Sequence, residues 1–172
     1  MTAPPPRLRA LQADITTLAV DMIANAANER LVAGGGVDGA IHRAAGPDLQ
    51  RALDRFGGCP TGEARLTPGF RLPAAWIAHT VGPIWHGGNA GEAEALASCY
   101  RSVLALAAQQ GARSLALPAI STGVYGYPLE AATAIAVTTV RAGLPSAPTL
   151  GEVLFCCFGD AVLKAYERHL DA

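Results

Sequence analysis

The second half of the chain alternates short apolar runs with segments of helical periodicity, and this alternation constrains the fold more than any other feature. Residues 114–117 and 153–158 are apolar runs of strand length. Between them, a segment opened by Pro128 places apolar side chains at helical spacing and stops at Gly143. Strands that alternate with helices form a largely parallel sheet with helices on both faces. We therefore predict a three-layer α/β/α fold.

The remaining segments extend this pattern to six strands and about five helices. Further strands are predicted at 8–13, 21–26, 63–67 and 76–81, with a turn at 14–17 between the first two. Further helices are predicted at 37–45, after Pro47, at 96–107, and from Asp160 to Leu170, and Gly111 is expected to end the third of these helices. The length of 172 residues suits one domain, and there is no internal repeat. We predict a disordered, proline-rich lead-in over residues 1–6 and a single domain over residues 7–172.

Charge and cysteine placement disfavour several classes of protein. Thirteen basic and 14 acidic residues give a net charge of −1, whereas nucleic-acid modules carry a clear basic excess. Binding to a nucleic-acid backbone is therefore not expected. Cys59, Cys99, Cys156 and Cys157 lack metal-ligand spacing, so neither a metal site nor a disulfide is predicted. No apolar stretch approaches the ~18 residues of a membrane helix, and we expect a cytoplasmic protein.

Two glycine-rich turns, each between a strand and a helix, form the candidate ligand site. The first is Gly34-Gly35-Gly36 and the second spans residues 121–126. Ligands of open α/β sheets bind at the carboxyl ends of strands, where glycine N–H groups can approach an anion. Neither turn contains Lys or Arg, and no Walker lysine follows either one. Two such turns favour a diphosphate held by N–H groups and helix dipoles, and the alternative is two tight connections.

Four polar side chains surround the first turn. Asn25 and Asn28 come at the end of a predicted strand, and Asp38 and His42 lie four residues apart on the following helix. Each has a structural alternative: asparagines satisfy turn backbone, an acid in a first helical turn meets the dipole, and a lone histidine forms a structural hydrogen bond. A carboxylate beside a phosphate opposes binding, so catalysis would explain Asp38. It could orient or deprotonate a water beside a bound sugar, with His42 holding that geometry.

Taken together, these segments resemble a macrodomain of the MacroD type, the ADP-ribose-binding family that includes mono-ADP-ribosyl hydrolases. The chain departs from the family's sequence pattern at one position, where Ala13 replaces the glycine of many relatives. The joint order of the motifs makes the resemblance specific, and it implies a three-layer α/β/α fold with a six-stranded mixed sheet. The matching segments are Asp14-Ile15, Asn25-Ala26-Ala27-Asn28, 34–46, 57–64, 79–83 and 118–128.

The resemblance also implies a role for each part of the site. Asp14 would accept a hydrogen bond from the adenine amino group, with Ile15 and Phe158 lining the adenine pocket. The two loops would wrap the diphosphate and distal ribose, Tyr125 would pack over that ribose, Asn28 would bond one of its hydroxyls, and Asp38 would act at the scissile C1″ or acyl-ester position. The implied catalytic residues are Asp38, Asn28 and His42, and the implied ligand contacts are Asp14, Ile15, Asn25, Asn28, Gly34, Gly35, Gly36, Val37, Asp38, Ser121, Thr122, Gly123, Val124, Tyr125, Gly126 and Phe158.

The activity implied by the resemblance is that of a hydrolase. It would release ADP-ribose from acidic side chains and deacetylate O-acetyl-ADP-ribose, as a monomer with no cofactor and no metal. The expected partners are ADP-ribose, O-acetyl-ADP-ribose and mono-ADP-ribosylated proteins, and ADP-ribosylated nucleic-acid ends stay open as an acceptor.

Two alternatives compete with this activity. A non-catalytic module that reads ADP-ribose would need no carboxylate beside the phosphates, so Asp38 and Asn28 favour the hydrolase. A serine hydrolase is disfavoured because five residues separate Ser121 from Tyr127-Pro128, whereas a nucleophile elbow leads straight into its helix.

Overall fold

Six strands form one mixed sheet in the computed structural model, which describes residues 4–171. The sheet order is β1-β6-β5-β2-β4-β3, and every neighbouring pair is parallel except β3 with β4. The predicted six-stranded, largely parallel sheet is confirmed. The strands are β1 (Arg7–Gln12), β2 (Met22–Ala27), β3 (Ala64–Pro68), β4 (Trp76–Val81), β5 (Ser114–Leu117) and β6 (Glu152–Cys157), and the helices are α1 (Gly36–Ala45), α2 (Asp48–Asp54), α3 (Glu92–Gln110), α4 (Leu129–Gly143) and α5 (Asp160–Asp171).

The alternation of side chains along each strand divides the core into two parts. Met22 and Ala24 pack with the buried residues of α3, α4 and α5, whereas Ile23 packs with those of α1 and α2. On β6, Phe155 belongs to the first cluster and Leu154 to the second. Successive strand residues point to opposite faces, so the two helix groups cover opposite sides of the sheet. This arrangement is the predicted three-layer sandwich.

The element boundaries follow the sequence closely, with one notable difference. Helix α3 begins at Glu92, before the first apolar residue of its predicted stripe, and ends as expected at Gly111, whose φ is 64°. The predicted turn after β1 is a short 3-10 helix, Ile15–Thr17. Residues 1–3 of the predicted disordered lead-in lie outside the described residues, and residues 4–6 precede β1 without helix or strand. Within residues 4–171, no helix has the length and apolar content needed to cross a membrane.

Candidate functional site

The predicted site residues follow the carboxyl ends of the parallel strands along one edge of the sheet. Asp14 follows β1 and Phe158 follows β6. A first loop (residues 28–35) follows β2, a second loop (residues 118–128) follows β5, and a third loop (residues 82–91) follows β4. The sheet order therefore puts Asp14 and Phe158 at one end of this edge, the second and first loops in the middle, and the third loop at the other end.

Asp38 is a nearly buried carboxylate in the first turn of α1, with 6% of its surface exposed. Its Oδ1 accepts a hydrogen bond from Asn25 Nδ2 at 2.7 Å, and its Oδ2 accepts one from the Gly34 backbone N–H at 2.7 Å. His42 Nε2 lies 3.4 Å from Oδ1 but makes no well-directed hydrogen bond among the described residues. The carboxylate is thus fixed between the sheet and the first loop.

A buried chain of hydrogen bonds extends from Asp38 into the sheet. Asn25 Nδ2 lies 3.0 Å from His79 Nδ1, and His79 Nε2 lies 2.9 Å from Thr67 Oγ1, whose hydroxyl donates to the Pro68 carbonyl at 3.0 Å. The Thr67 hydroxyl hydrogen is used on Pro68, so Thr67 accepts from His79 Nε2–H, and His79 Nδ1 accepts from Asn25. With this assignment, the Asn25 amide donates one hydrogen to His79 and the other to Asp38. The two bonds together fix the orientation of the amide.

Burial keeps His79 in the neutral form that this chain of hydrogen bonds requires. The side chain has no exposed surface, and burial, with a smaller contribution from neighbouring His42, lowers its pKa from 6.5 to about 3. A protonated ring would direct a second N–H at the Asn25 amide and break that contact. The hydrogen bonds that link His79 through Asn25 to Asp38 therefore do not change with pH in the neutral range.

The first loop is held in shape by its own backbone contacts. Asn28 Nδ2 donates to the Val32 carbonyl at 2.7 Å, and Asn28 Oδ1 accepts from the Val32 N–H at 3.2 Å. Gln50 on α2 donates to the Leu31 carbonyl at 2.8 Å and accepts from the Ala33 N–H at 3.0 Å. The loop is therefore preformed, and Asn28 fulfils the turn-stabilising alternative. Its predicted contact with a ribose hydroxyl stays a prediction.

The second loop packs tightly against the start of the third loop. Ser121 has a φ of 68°, is 6% exposed, and its Oγ has no hydrogen-bond partner within residues 4–171. A Cβ on Gly82 would lie 2.2 Å from Ser121 Oγ and 2.6 Å from Ile120 Cγ2, so only glycine fits there. The Trp85 N–H donates to the Tyr125 carbonyl at 2.8 Å, which joins the two loops.

Four glycines of the two glycine-rich turns have open space where a side chain would stand. An added Cβ on Gly35, Gly36, Gly123 or Gly126 would meet no atom within 4 Å. A ligand can therefore approach the backbone closely at these positions. The Gly126 N–H already donates to the Gly123 carbonyl at 3.0 Å, and the diphosphate cradle stays a prediction.

The opposite end of the edge carries an exposed acid and an exposed aromatic ring. Asp14 accepts hydrogen bonds from the Thr16 N–H at 3.0 Å and the Thr16 hydroxyl at 2.7 Å, and these bonds lower its pKa. Phe158 is 64% exposed, and its carbonyl accepts a hydrogen bond from Gln12 at 3.3 Å. Both side chains are exposed, and their adenine contacts stay predictions.

The third loop is organised by Glu92, the first residue of α3. Its carboxylate, 2% exposed, accepts hydrogen bonds from the backbone N–H groups of His86 at 2.8 Å, Gly88 at 3.0 Å and Ala90 at 2.7 Å. The bonds from His86 and Gly88 contribute most to lowering its pKa, from 4.5 to about 2. A carboxylate with three backbone donors fixes the course of this loop.

The comparisons with known proteins identify this arrangement. A family model described as the Macro domain matches residues 24–136, which contain the first, second and third loops. The chain belongs to the macro domain family. It is 55% identical over 161 residues, 91% of this chain and 92% of the relative, to the O-acetyl-ADP-ribose deacetylase of Klebsiella pneumoniae.

Solved macro domain structures share the fold over almost the whole chain. The Oceanobacillus iheyensis macrodomain with ADP has a TM-score of 0.92 and 40% identity, covering 99% of this chain and 93% of that one. The Trypanosoma brucei macrodomain in complex with ADP-ribose has a TM-score of 0.89 and 46% identity, covering 95% of this chain and 68% of that one. These similarities confirm the family and the fold that the sequence motifs predicted.

Two predicted ligand contacts of the macro domain lie below its surface. Asn25 has no exposed surface, lies inside β2 and donates to Asp38, and its predicted ligand contact stays a prediction. Ile15 is 2% exposed and packs in the core beside α1 and α2. The other predicted contacts lie along the strand edge, in the loops and the first turn of α1.

Sequence patterns alone assign no role to three residues that shape the site, namely His79, Thr67 and Glu92. His79 and Thr67 lie on β4 and β3, and only the strand register brings His79 opposite Asn25. A histidine in the middle of an apolar strand was the available signal, because a buried imidazole requires partners. Glu92 stands outside every recognised motif. Its position at the start of a helix after a glycine-rich loop was a weak indication of a backbone contact.

Proposed function

We propose that this macro domain binds ADP-ribose along the strand edge and hydrolyses the ester that joins the distal ribose to a carboxyl group. The substrates would be O-acetyl-ADP-ribose and proteins mono-ADP-ribosylated on Asp or Glu. Adenine would lie against Asp14 and Phe158, the diphosphate between the two glycine-rich loops, and the distal ribose near Asn28 and Tyr125. The reaction would need no cofactor, since ADP-ribose is both ligand and product.

The observation that carries this proposal is the position of Asp38 beside the glycine-rich turn at residues 34–36, which contains no lysine or arginine. A carboxylate beside a diphosphate weakens binding electrostatically, so its presence needs a chemical reason. Asn25 and the Gly34 N–H hold both of its oxygens in fixed directions. Fixed orientation of a reacting group is a large part of catalysis. The 55% identity to a deacetylase of O-acetyl-ADP-ribose supports the same reaction class.

The reaction consumes one water and yields ADP-ribose, a free carboxylate and a proton. Asp38 would orient the attacking water or accept its proton as the ester bond breaks. His42, 3.4 Å from Asp38, would support the position of the carboxylate. The backbone N–H groups of Gly35 and Gly36 would keep the diphosphate, and with it the ribose, in place.

Release of ADP-ribose from a protein modified on Glu or Asp tests the proposal, with O-acetyl-ADP-ribose as the second substrate. We expect Asp38→Ala to lower turnover by orders of magnitude while ADP-ribose affinity, measured by calorimetry, stays within about tenfold. Asp48→Ala is the matched control, because Asp48 is an exposed acid on α2 whose one ion-pair partner among residues 4–171 is Arg51. Equal turnover by the Asp38 variant and the native chain would overturn the assignment.

A non-catalytic reader of ADP-ribose is the second candidate. It is favoured by the low exposure of Asp38 and by the use of both its oxygens within the fold. The same experiment separates the two functions. A reader would bind ADP-ribose in both the native and Asp38→Ala forms and would release it from neither substrate.

A further inference from the structure

A pocket of about 380 Å³ opens at the last turn of α1, at the opposite end of that helix from the glycine-rich turn. It is formed by the end of α1, the start of α2 and the loop between β3 and β4. Neither glycine-rich turn lines it, so it is separate from the proposed path of ADP-ribose. We call it the arginine pocket, and its lining residues are His42, Arg43, Gly46, Pro47, Gln50 and Arg71.

We infer that the arginine pocket binds a phosphate group, either free or as part of a small phosphate ester. Arg43 comes from α1 and Arg71 from the loop before β4, and both side chains are exposed. Neither guanidinium has a hydrogen-bond or ion-pair partner within residues 4–171. Guanidinium groups bind phosphate oxygens through two parallel hydrogen bonds. The inference does not depend on the proposed function, because it concerns a different surface of the molecule.

Two glycines make room for the two arginine side chains. Gly46 has a φ of 92°, and a Cβ there would lie 3.0 Å from both Cδ and Nε of Arg71. The Arg71 N–H donates to the Ala45 carbonyl at 3.3 Å, which fixes the loop against the end of α1. Arg43 folds back along the helix, so that its Nη1 lies 3.1 Å from the position of a Cβ on Gly39. The pocket is thus shaped by the backbone as well as by the arginines.

The charge of the arginine pocket favours an anion. Among the described residues, no carboxylate lines it. The acids that lie close to it along the chain are engaged elsewhere. Asp48 pairs with Arg51 at 2.9 Å, and Asp54 accepts a hydrogen bond from Gln50 at 2.9 Å. Both oxygens of Asp38 accept hydrogen bonds within the fold. The two guanidinium charges in the pocket therefore lack a counter-charge.

A purely structural explanation accounts for Arg43 but not for Arg71. A basic residue in the last turn of a helix meets the negative end of the helix dipole, which is equivalent to about half an elementary charge. Arg43 lies in this turn of α1. Arg71 brings a second full charge to the same place from a distant part of the chain. The sum stays positive, and a bound anion would neutralise it.

The number of donors favours phosphate over a carboxylate. One guanidinium already satisfies both oxygens of a carboxylate. Two guanidinium groups offer more donors and more charge than that, and they suit a phosphate ester, which carries up to two negative charges and three acceptor oxygens. The volume of about 380 Å³ also leaves space for the organic part of a small ester.

His42 lies between the arginine pocket and the candidate catalytic carboxylate. It lines the pocket, and its Nε2 lies 3.4 Å from Asp38 Oδ1. A phosphate in the pocket would thus be one side chain away from Asp38. The ten residues of α1 span roughly 15 Å and separate the pocket from a diphosphate at the start of the helix. The pocket and the strand edge can therefore be occupied at the same time.

An NMR titration that follows backbone amides and arginine side-chain N–H groups tests this inference. The probes are inorganic phosphate and glycerol 3-phosphate, with sodium acetate and sodium chloride at matched ionic strength for comparison. We expect both phosphates to shift the resonances of Arg43, Gly46 and Arg71, with dissociation constants of roughly 1–10 mM. Arg43→Gln and Arg71→Gln should each weaken binding about tenfold or more, because each removes one charge-assisted contact.

Arg55→Gln is the matched control and should bind phosphate as the native chain does, because Arg55 is exposed but does not line the pocket. Binding of only one of the two phosphates would support the site and identify its source of phosphate. Shifts confined to residues 34–36 and 121–126 would place the phosphate in the predicted diphosphate cradle and overturn the inference. Equal shifts with acetate or chloride would also overturn it, as would unchanged affinity in both arginine variants.

Discussion

Asn25 donates both hydrogens of its amide, one to the Asp38 carboxylate and one to the His79 ring. Its own carbonyl oxygen is buried without a partner among the described residues. A flipped amide would direct that oxygen at a carboxylate, so the unsatisfied oxygen is the cost of holding Asp38 in this orientation. At the scale of single residues, the position of the candidate catalytic carboxylate depends on a buried amide.

Replacing Asn25 should therefore affect catalysis more than binding. Asn25→Ala leaves acceptors on Asp38 and His79 buried without a donor, and we expect the free energy of unfolding to fall by roughly 2–4 kcal/mol. Turnover should fall while calorimetric ADP-ribose affinity changes little. Asn89→Ala, in the exposed part of the third loop, should leave both quantities unchanged. A purely structural role for Asn25 would instead leave turnover per folded molecule at the native level.

His79 should make the stability of the fold depend on pH. Its pKa of about 3 in the folded state lies below the ordinary 6.5, so the unfolded chain binds the extra proton between these values. Stability is then complete above pH 6.5 and falls as the pH drops towards 3, by at most about 1.4 kcal/mol per pH unit.

Urea unfolding at several pH values between 6.5 and 4.5 measures this dependence, in a range above the ordinary pKa values of carboxylates. We expect His79→Gln to flatten the slope, and we expect His86→Gln, at an exposed position, to keep the slope of the native chain. A native chain whose unfolding free energy is constant over this range would contradict the proposed state of His79.

At the scale of elements, the sequence predicts the strands and helices well because each carries a local periodic pattern. β4 and β5 lie where their apolar runs indicate, and Gly111 ends α3 through its positive φ. The start of α3 was missed because its first turn, from Glu92, carries no apolar stripe.

The candidate site is less predictable than the elements because its contacts join distant strands. Asn28, Asp38 and the two glycine-rich loops are recognisable because motif and position coincide. The contact between Asn25 and His79 depends on the register of β2 with β4, which no local pattern specifies. The same limit explains why the motif at residues 25–28 does not indicate that Asn25 holds Asp38.

The third loop depends on one side chain of α3. Glu92→Ala removes the acceptor for the His86, Gly88 and Ala90 N–H groups, so we expect these amides to exchange hydrogen faster with solvent. Because the Glu92 pKa is about 2 in the folded state, its contribution to stability is present above pH 4.5 and is lost towards pH 2.

Glu94→Ala provides the control on the same helical turn. Glu94 is exposed and pairs with Arg101, so its removal should leave exchange in the third loop unchanged. Amide exchange measured residue by residue distinguishes the two variants. Unchanged protection of His86 and Ala90 in Glu92→Ala would show that the loop is held by other contacts.

At the scale of the whole molecule, the proposed recognition of an anion does not rely on a positive net charge. The protein has a net charge of −1, and neither glycine-rich turn, residues 34–36 or 121–126, contains a lysine or arginine. A diphosphate held there would be bound by backbone N–H groups and by the N-terminal dipole of α1.

This arrangement predicts a weak salt dependence for the binding of ADP-ribose. Affinity for free ADP-ribose should change less than about threefold between roughly 50 and 200 mM salt, because no cation in the two glycine-rich turns releases counterions. Titrations at several salt concentrations give the slope. A steep slope would mean that a cation outside the two turns binds the diphosphate.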